Sequence, residues 1–221
     1  MLSIRDLACD APGGRPLLAA LDLDLARGGS LLVTGGSGSG KSRLLQVIAG
    51  TASPRRGEVR VGGIRIWPGD GALALAGRVQ VGFAFATGGL LSNLSLADNA
   101  ALPLRFRGMP AAEARARADS ALARLGLEAV AGLRPHAVSG AARKHANLAR
   151  VLALAPELVL LDEPLEGLDA ADRGRVLELV AAWAADPACT VIIATEGAAD
   201  FPGLAARHLD LRSLPTPPEA P

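Results

Sequence analysis

Residues 35–42 read Gly35-Gly36-Ser37-Gly38-Ser39-Gly40-Lys41-Ser42, a glycine and four residues followed by Gly-Lys-Ser. The apolar run Leu31-Leu32-Val33 precedes the motif, and the helix-like stretch Arg43-Leu44-Leu45-Gln46-Val47-Ile48 follows it. Glycines without a Cβ let backbone N–H groups turn inward around an anion. A helix starting at the same point aims its positive end at that anion. Lys41 can neutralise the outer phosphates of a nucleotide, and the Ser42 hydroxyl can bind Mg²⁺. A plain glycine-rich turn would require neither the Lys-Ser pair nor the flanking strand and helix. The candidate nucleotide-binding residues are therefore Gly35, Gly36, Ser37, Gly38, Ser39, Gly40, Lys41, Ser42 and Arg43. The expected ligand is a nucleoside triphosphate.

Outward from the motif, periodicity outlines the rest. Leu2–Leu7 and Leu21–Leu25 alternate as half-buried strands do. Glu58–Ile66 is a strand candidate broken by Gly62-Gly63, and Val79–Phe85 is a short apolar strand. Pro110 opens a helix over Ala111–Leu125 that Gly126 closes. Another helix is expected from Ser139-Gly140 to Ala155. Leu158–Leu161 is a continuous apolar run, as in a strand buried on both faces, and Thr190–Ala194 is another buried strand. Between them Ala170–Ala185 is an amphipathic helix with Asp169 as its cap. Leu209–Leu211 is a candidate last strand. Strands alternating with helices around this loop give an α/β chain with a parallel core. We expect one domain over 1–214 with a helical insertion over roughly 87–150, and a flexible Pro-rich tail over 215–221.

The second chemical motif is Leu158-Val159-Leu160-Leu161-Asp162-Glu163. An apolar strand ending in two acids places carboxylates at the carboxyl edge of the sheet, where ligands of open α/β sheets bind. Asp162 can hold Mg²⁺, directly or through water, and Glu163 can polarise an attacking water as the catalytic base.

Composition narrows the alternatives. The 221 residues are half hydrophobic and carry a formal charge of +1, which argues against nucleic acid as a partner. Lysine occurs only at Lys41 and Lys144, so its presence inside the phosphate loop is informative. Cys9 and Cys189 fit no metal spacing and read as free buried thiols. His136, His145 and His208 form no metal pattern. No signal peptide or bilayer-length apolar run is visible, so contact with a membrane is expected through a partner.

The ordered motifs resemble those of ATP-binding subunits of ABC transporters, over nearly the whole chain. Gly35–Ser42 is similar to the family's Walker A motif, and Leu158–Glu163 with Pro164 to its Walker B motif and catalytic glutamate. Gly167-Leu168-Asp169 resembles the D-loop. Val138-Ser139-Gly140 stands where the signature Leu-Ser-Gly-Gly-Gln begins. The run from Gly88 to Asn99 resembles the segment that meets membrane subunits, with a hint of importer-like and lipid-trafficking members. The resemblance implies a P-loop NTPase fold with an antiparallel β layer, and ATP and Mg²⁺ as ligands. It also implies membrane-spanning permease subunits and a second nucleotide-binding subunit, identical or different, as partners. The chain would then lie in the cytoplasm, peripheral on the inner face of the membrane. Ser139 and Gly140 would meet the ATP held by the partner cassette.

Four specialised positions depart from the family. Ala141 and Ala142 replace the signature's Gly-Gln. Ala86 stands for the Q-loop glutamine after Phe85, and Glu196 for the switch histidine after Thr195. The aromatic residue that stacks on adenine is missing near Ala11, and the chain has no tyrosine. Glu196 would bring negative charge toward the γ-phosphate. Losing one such donor costs about 10²–10³ in rate. The residues thus imply an ATPase with impaired turnover, or alternatively an essentially non-hydrolytic nucleotide-binding subunit. A small P-loop kinase finds no acceptor-site motif here.

Overall fold

In a computed structural model, which describes residues 1–87, 89–204 and 206–214, the two N-terminal alternating stretches pair as β1 (Leu2–Asp10) and β2 (Pro16–Leu25). Both are longer than their alternation predicts. The register shifts after Ile4 and again around Cys9, and Asp6 and Ala20 adopt positive φ. Each bulge resets the two-residue period, so only the unbulged part reads as a strand in the sequence. β3 (Ser30–Thr34) leads through the phosphate loop into α1 (Lys41–Ile48). The glycine break at Gly62-Gly63 is a turn between β4 (Arg56–Val61) and β5 (Ile64–Trp67). The short α2 (Ala72–Leu75) and β6 (Val81–Ala84) follow.

Three helices then separate β6 from β7. They are α3 (Leu96–Phe106), α4 (Ala111–Arg124) and α5 (Gly140–Leu154). The sequence did not signal α3, because Pro103 lies inside it. Ser95 caps it by accepting a hydrogen bond from Asp98 N. β7 (Leu158–Asp162), α6 (Ala170–Ala185), β8 (Thr190–Thr195) and β9 (Arg207–Asp210) complete the elements. The last strand begins two residues before the expected Leu209–Leu211, and Leu211 already lies in a 3₁₀ turn. That turn forms where Asp210 accepts from Arg212 N. The expected tail, 215–221, and Gly88 of the 88–99 run lie outside the described residues.

The strands form two sheets. One is antiparallel with order β2-β1-β4-β5, and the other is parallel with order β6-β7-β8-β3-β9. All residues of β3, β7 and β8 are buried, so their apolar runs serve two cores by period-two alternation. Leu158 and Leu160 join Ile192 and Leu31 in a cluster with α1 and the antiparallel sheet. Val159 and Leu161 join Ile193 and Leu32 in a second cluster with α3–α6. The carboxyl ends of β3, β7 and β8 therefore sit side by side, with Thr34 paired to Thr195 and Asp162 to Ala194.

Candidate functional site

The phosphate loop is shaped by glycine at two left-handed positions, Gly38 (φ 73°) and Gly40 (φ 100°). Gly40 is the residue before the first turn of α1, so no side chain caps that helix and no acid lies in its first turn. Its first N–H groups are left for an external acceptor. The buried Ser39 hydroxyl also lacks a partner within the protein, which fits a loop that folds around an anion. Arg43 takes another course: its guanidinium donates to Ser53 O at 3.1 Å. It does not line the cleft over the loop, so only its backbone N–H remains at the helix terminus.

That cleft, of about 350 Å³, is lined by Lys41, Ser42, Glu163, Glu166, Arg173 and Glu196, among others. Lys41 is 6% exposed. Its ammonium donates to Gly35 O at 2.8 Å and Gly36 O at 3.2 Å, and lies 3.1 Å from Glu163 Oε1. A charge held this way is ready for exchange with a phosphate, since each contact is to an acceptor that a phosphate oxygen can replace. Ser42 Oγ donates to Asp162 Oδ1 at 3.0 Å. Burial pushes the Asp162 carboxyl above its ordinary value, against the Ser42 hydrogen bond and the Lys41 charge. Glu163 is likewise raised by burial, while Lys41 draws it down. A hard cation beside Ser42 and Asp162 would offset the burial of that carboxylate. One hydroxyl and one carboxylate suit Mg²⁺, which keeps several waters and phosphate oxygens as its other ligands. Among the described residues no group of three or more His, Cys, Asp or Glu offers another metal site.

Glu163 has a left-handed backbone (φ 44°), and its N–H donates to Ala194 O at 2.9 Å. The irregular turn after it is held by two cations that sequence reasoning did not assign. Lys144, on α5, donates to Glu163 O and Glu166 O, both at 2.7 Å. Arg173, on α6, donates to Leu165 O at 3.2 Å and to Asp200 Oδ1 at 2.7 Å. Asp200 in turn accepts from Thr195 Oγ1 at 3.0 Å, next to Glu196, which is exposed at the end of β8. The rarity of lysine was the one available signal for Lys144. Nothing local marked Arg173.

The remaining positions fall around this cleft rather than in it. Ala86, Gly140 and Ala141 line an adjoining cavity of about 440 Å³ with Lys144 and Glu166. Ser139 caps α5 by accepting from Ala142 N at 3.1 Å. Within one chain it is not brought to Lys41. The turn bearing Ala11 is closed by Ala11 N donating to Arg15 O at 2.7 Å. Arg15 reaches the phosphate loop at Gly38 O, 3.4 Å away.

Comparison with known proteins agrees with this geometry. Residues 18–166 match the family described as ABC transporter. The lipoprotein-releasing system ATP-binding protein LolD of Chromohalobacter salexigens is 39% identical over 200 residues, covering 90% of this chain and 83% of that protein. The methionine import ATP-binding protein MetN of Caulobacter vibrioides is 36% identical over 200 residues, covering 88% of this chain. The taurine import ATP-binding protein TauB of Pseudomonas aeruginosa is 41% identical over 166 residues, covering 75% of this chain. The chain spans only 59% of that MetN and 60% of that TauB. Among solved structures, the dimeric ABC transporter cassette MJ0796 superposes with a TM-score of 0.87 at 26% identity, covering 96% of this chain and 95% of the cassette. The same cassette in a post-hydrolysis dimer with ADP and Pi gives 0.84 at 27% identity over 91% and 90%. With its phosphate loop, acidic strand end and two-sheet architecture, the chain belongs to the ABC transporter family as an ATP-binding cassette.

Proposed function

We propose that this cassette binds Mg²⁺-ATP in the Lys41 cleft, hydrolyses it slowly, and couples that cycle to transport by membrane-spanning permease subunits. The observation that carries this reading is the pairing of Lys41 with Glu163 and of Ser42 with Asp162, side by side beside an uncapped helix terminus. The β- and γ-phosphates take the acceptor places now held by Gly35 O, Gly36 O and Glu163. The N–H groups of the loop close on the same oxygens. Bound Mg²⁺ would be held by Ser42 and Asp162 and would supply charge neutralisation of the phosphates. Released from Lys41, the Glu163 carboxylate is free to orient a water and accept its proton. Burial raises its pKa, which strengthens it as a proton acceptor.

Two positions argue for slow turnover. Glu196 offers an acceptor where a γ-phosphate needs a donor, and the methyl group of Ala86 can orient neither water nor metal. These same residues favour the second reading, a cassette that binds ATP without hydrolysing it. The sandwich geometry of the family requires a second cassette, because Ser139 and Gly140 do not reach the chain's own cleft. A different partner cassette with an intact signature would complement this chain better than a second copy. Three large apolar side chains are exposed around α3, at Leu91, Leu102 and Phe106. They support a permease contact on that side, and hence a peripheral place at the inner face of the membrane. The relatives' roles, lipoprotein release and methionine or taurine import, differ in cargo, so we assign the choice of cargo to the permease partner. The test is calorimetric titration of Mg²⁺-ATP with phosphate release measured in parallel. We expect saturable binding, lost by about 10²-fold in Lys41→Met as two charge-assisted contacts disappear, and turnover far below ~10 s⁻¹. Unchanged affinity in Lys41→Met would exclude this site.

A further inference from the structure

We infer that Lys144 is a positioning residue for Glu163, fixing the turn that carries the catalytic carboxylate to the helix that begins at Ser139. The inference rests on the function proposed above for Glu163. Its physical basis is the accounting of backbone carbonyls. Residues 163–169 belong to no helix or strand, so the turn lacks the ladder that would normally set its conformation. Glu163 nonetheless holds a left-handed φ of 44°, an uncommon and costly state for a residue with a long side chain. Such a conformation persists only where neighbours over-determine it. Its N–H is fixed by Ala194 O. Its carbonyl accepts a long turn bond from Glu166 N at 3.3 Å and a shorter bond at 2.7 Å from one side chain, the Lys144 ammonium, which also takes Glu166 O. Both lysine bonds are charge-assisted, and Lys144 is only partly exposed. Without them, the Glu163 carbonyl keeps only the longer turn bond from Glu166 N, and the carboxylate loses its aim.

The chemistry of the site makes that aim matter. The Glu163 side chain leaves Lys41 when phosphate arrives, so its position then depends on the backbone beneath it. Lys144 stands five residues after Ser139 on one rigid helix, so the clamp also links the surface offered to a second cassette with the chain's own catalytic turn. A purely structural lysine would make a different prediction. Its loss would lower the melting temperature and leave turnover per folded molecule unchanged.

The experiment compares Lys144→Met and Lys144→Arg with the unmodified protein. Mg²⁺-ATP affinity is measured by calorimetry, single-turnover phosphate release with protein in excess, and amide hydrogen exchange without nucleotide. We expect ATP affinity within about twofold of the unmodified protein in both variants. Phosphate release should fall tenfold or more in Lys144→Met and recover to within threefold in Lys144→Arg, whose fork can also reach two carbonyls. Exchange across Glu163–Asp169 should quicken in Lys144→Met while β3 and α1 stay protected. Normal release per folded Lys144→Met molecule, or unchanged exchange in the turn, overturns the inference. Should the unmodified protein bind ATP and release no phosphate, the hydrolytic reading of the cassette fails. The exchange measurement then still decides whether the clamp exists.

Discussion

Replacing Glu196 separates charge from hydrogen bonding in the ATP site. The cleft around Lys41 is lined by two cations, Lys41 and Arg173, against four carboxyls, Glu163, Glu166, Glu196 and Asp200. Glu196 is the exposed member at the end of β8, and no described hydrogen bond or ion pair holds its carboxylate. A unit charge about 7 Å from a phosphate at an effective dielectric near 20 is worth about 2 kcal/mol. Solvent exposure reduces this to about 1 kcal/mol, or fivefold in Kd. Glu196→Gln should therefore tighten Mg²⁺-ATP by about fivefold at low ionic strength. The gain should largely vanish at 1 M salt, where the screening length is about 3 Å. Glu196→His should give a similar gain in affinity and, by adding a donor, raise turnover by about 10²-fold. Calorimetry at two salt concentrations and a phosphate-release assay read both effects. If Glu196→Gln leaves affinity unchanged at low salt, the carboxylate does not face the phosphates. If Glu196→His leaves turnover within threefold, the missing donor is not what limits the chemistry.

Two further outcomes test the framework around the site. His145 is buried, with Nδ1 3.8 Å from Asp172 Oδ1 and Nε2 without a partner. Burial pushes its pKa below the ordinary 6.5 despite Asp172, so the unfolded chain binds the proton more readily. The stability this contributes is present above pH 6.5 and lost as pH falls below it. Denaturant titrations should show a slope of up to about 1.4 kcal/mol per pH unit that His145→Leu removes. Asn99 is fully buried and makes four hydrogen bonds, accepting from Leu91 N and donating to Leu91 O, Leu94 O and Ser95 O. Asn99→Ala should cost about 2–4 kcal/mol and open the 89–95 loop to proteolysis before the rest of the chain. Equal protease resistance would refute that Asn99 holds the loop.

Much of this architecture could be read from the residues, for reasons that differ element by element. β7 and β8 were legible because a strand buried on both faces is apolar along nearly its whole length, as Leu158–Leu161 and Val191–Ala194 are. α6 was legible because its cap, Asp169, precedes an amphipathic run long enough to absorb the single Gly174. β1 and β2 were cut short in the reading because bulges at Asp6 and Ala20 erase the alternation on which it depends. α3 was missed because Pro103 argues locally against the helix that packing against α4 and α5 completes. The contiguous motifs announced Lys41, Ser42, Asp162 and Glu163. The cations behind them, Lys144 and Arg173, act on backbone carbonyls 19 to 22 and 8 residues away in sequence. A lysine that binds carbonyls leaves no spacing pattern, so only the folded chain reveals it.

The altered positions divide by what they touch. On the function proposed above, the parts that would grip a nucleotide's phosphates are all present: the left-handed glycines, the uncapped α1, Lys41, and the Ser42–Asp162 pair. The parts that would tune the attacking water are those replaced, at Ala86 and Glu196, while Glu163 remains. Binding energy and chemical rate are separable quantities, and an intact cradle can supply the first without the second. Any ligand that favours an associated state drives association in proportion to its differential affinity. For a cassette so constructed, ATP binding itself can therefore do the conformational work of closing onto a partner. On the function proposed above, hydrolysis would then be needed only to reopen the assembly, and a slow rate would set the lifetime of the closed state rather than abolish the cycle.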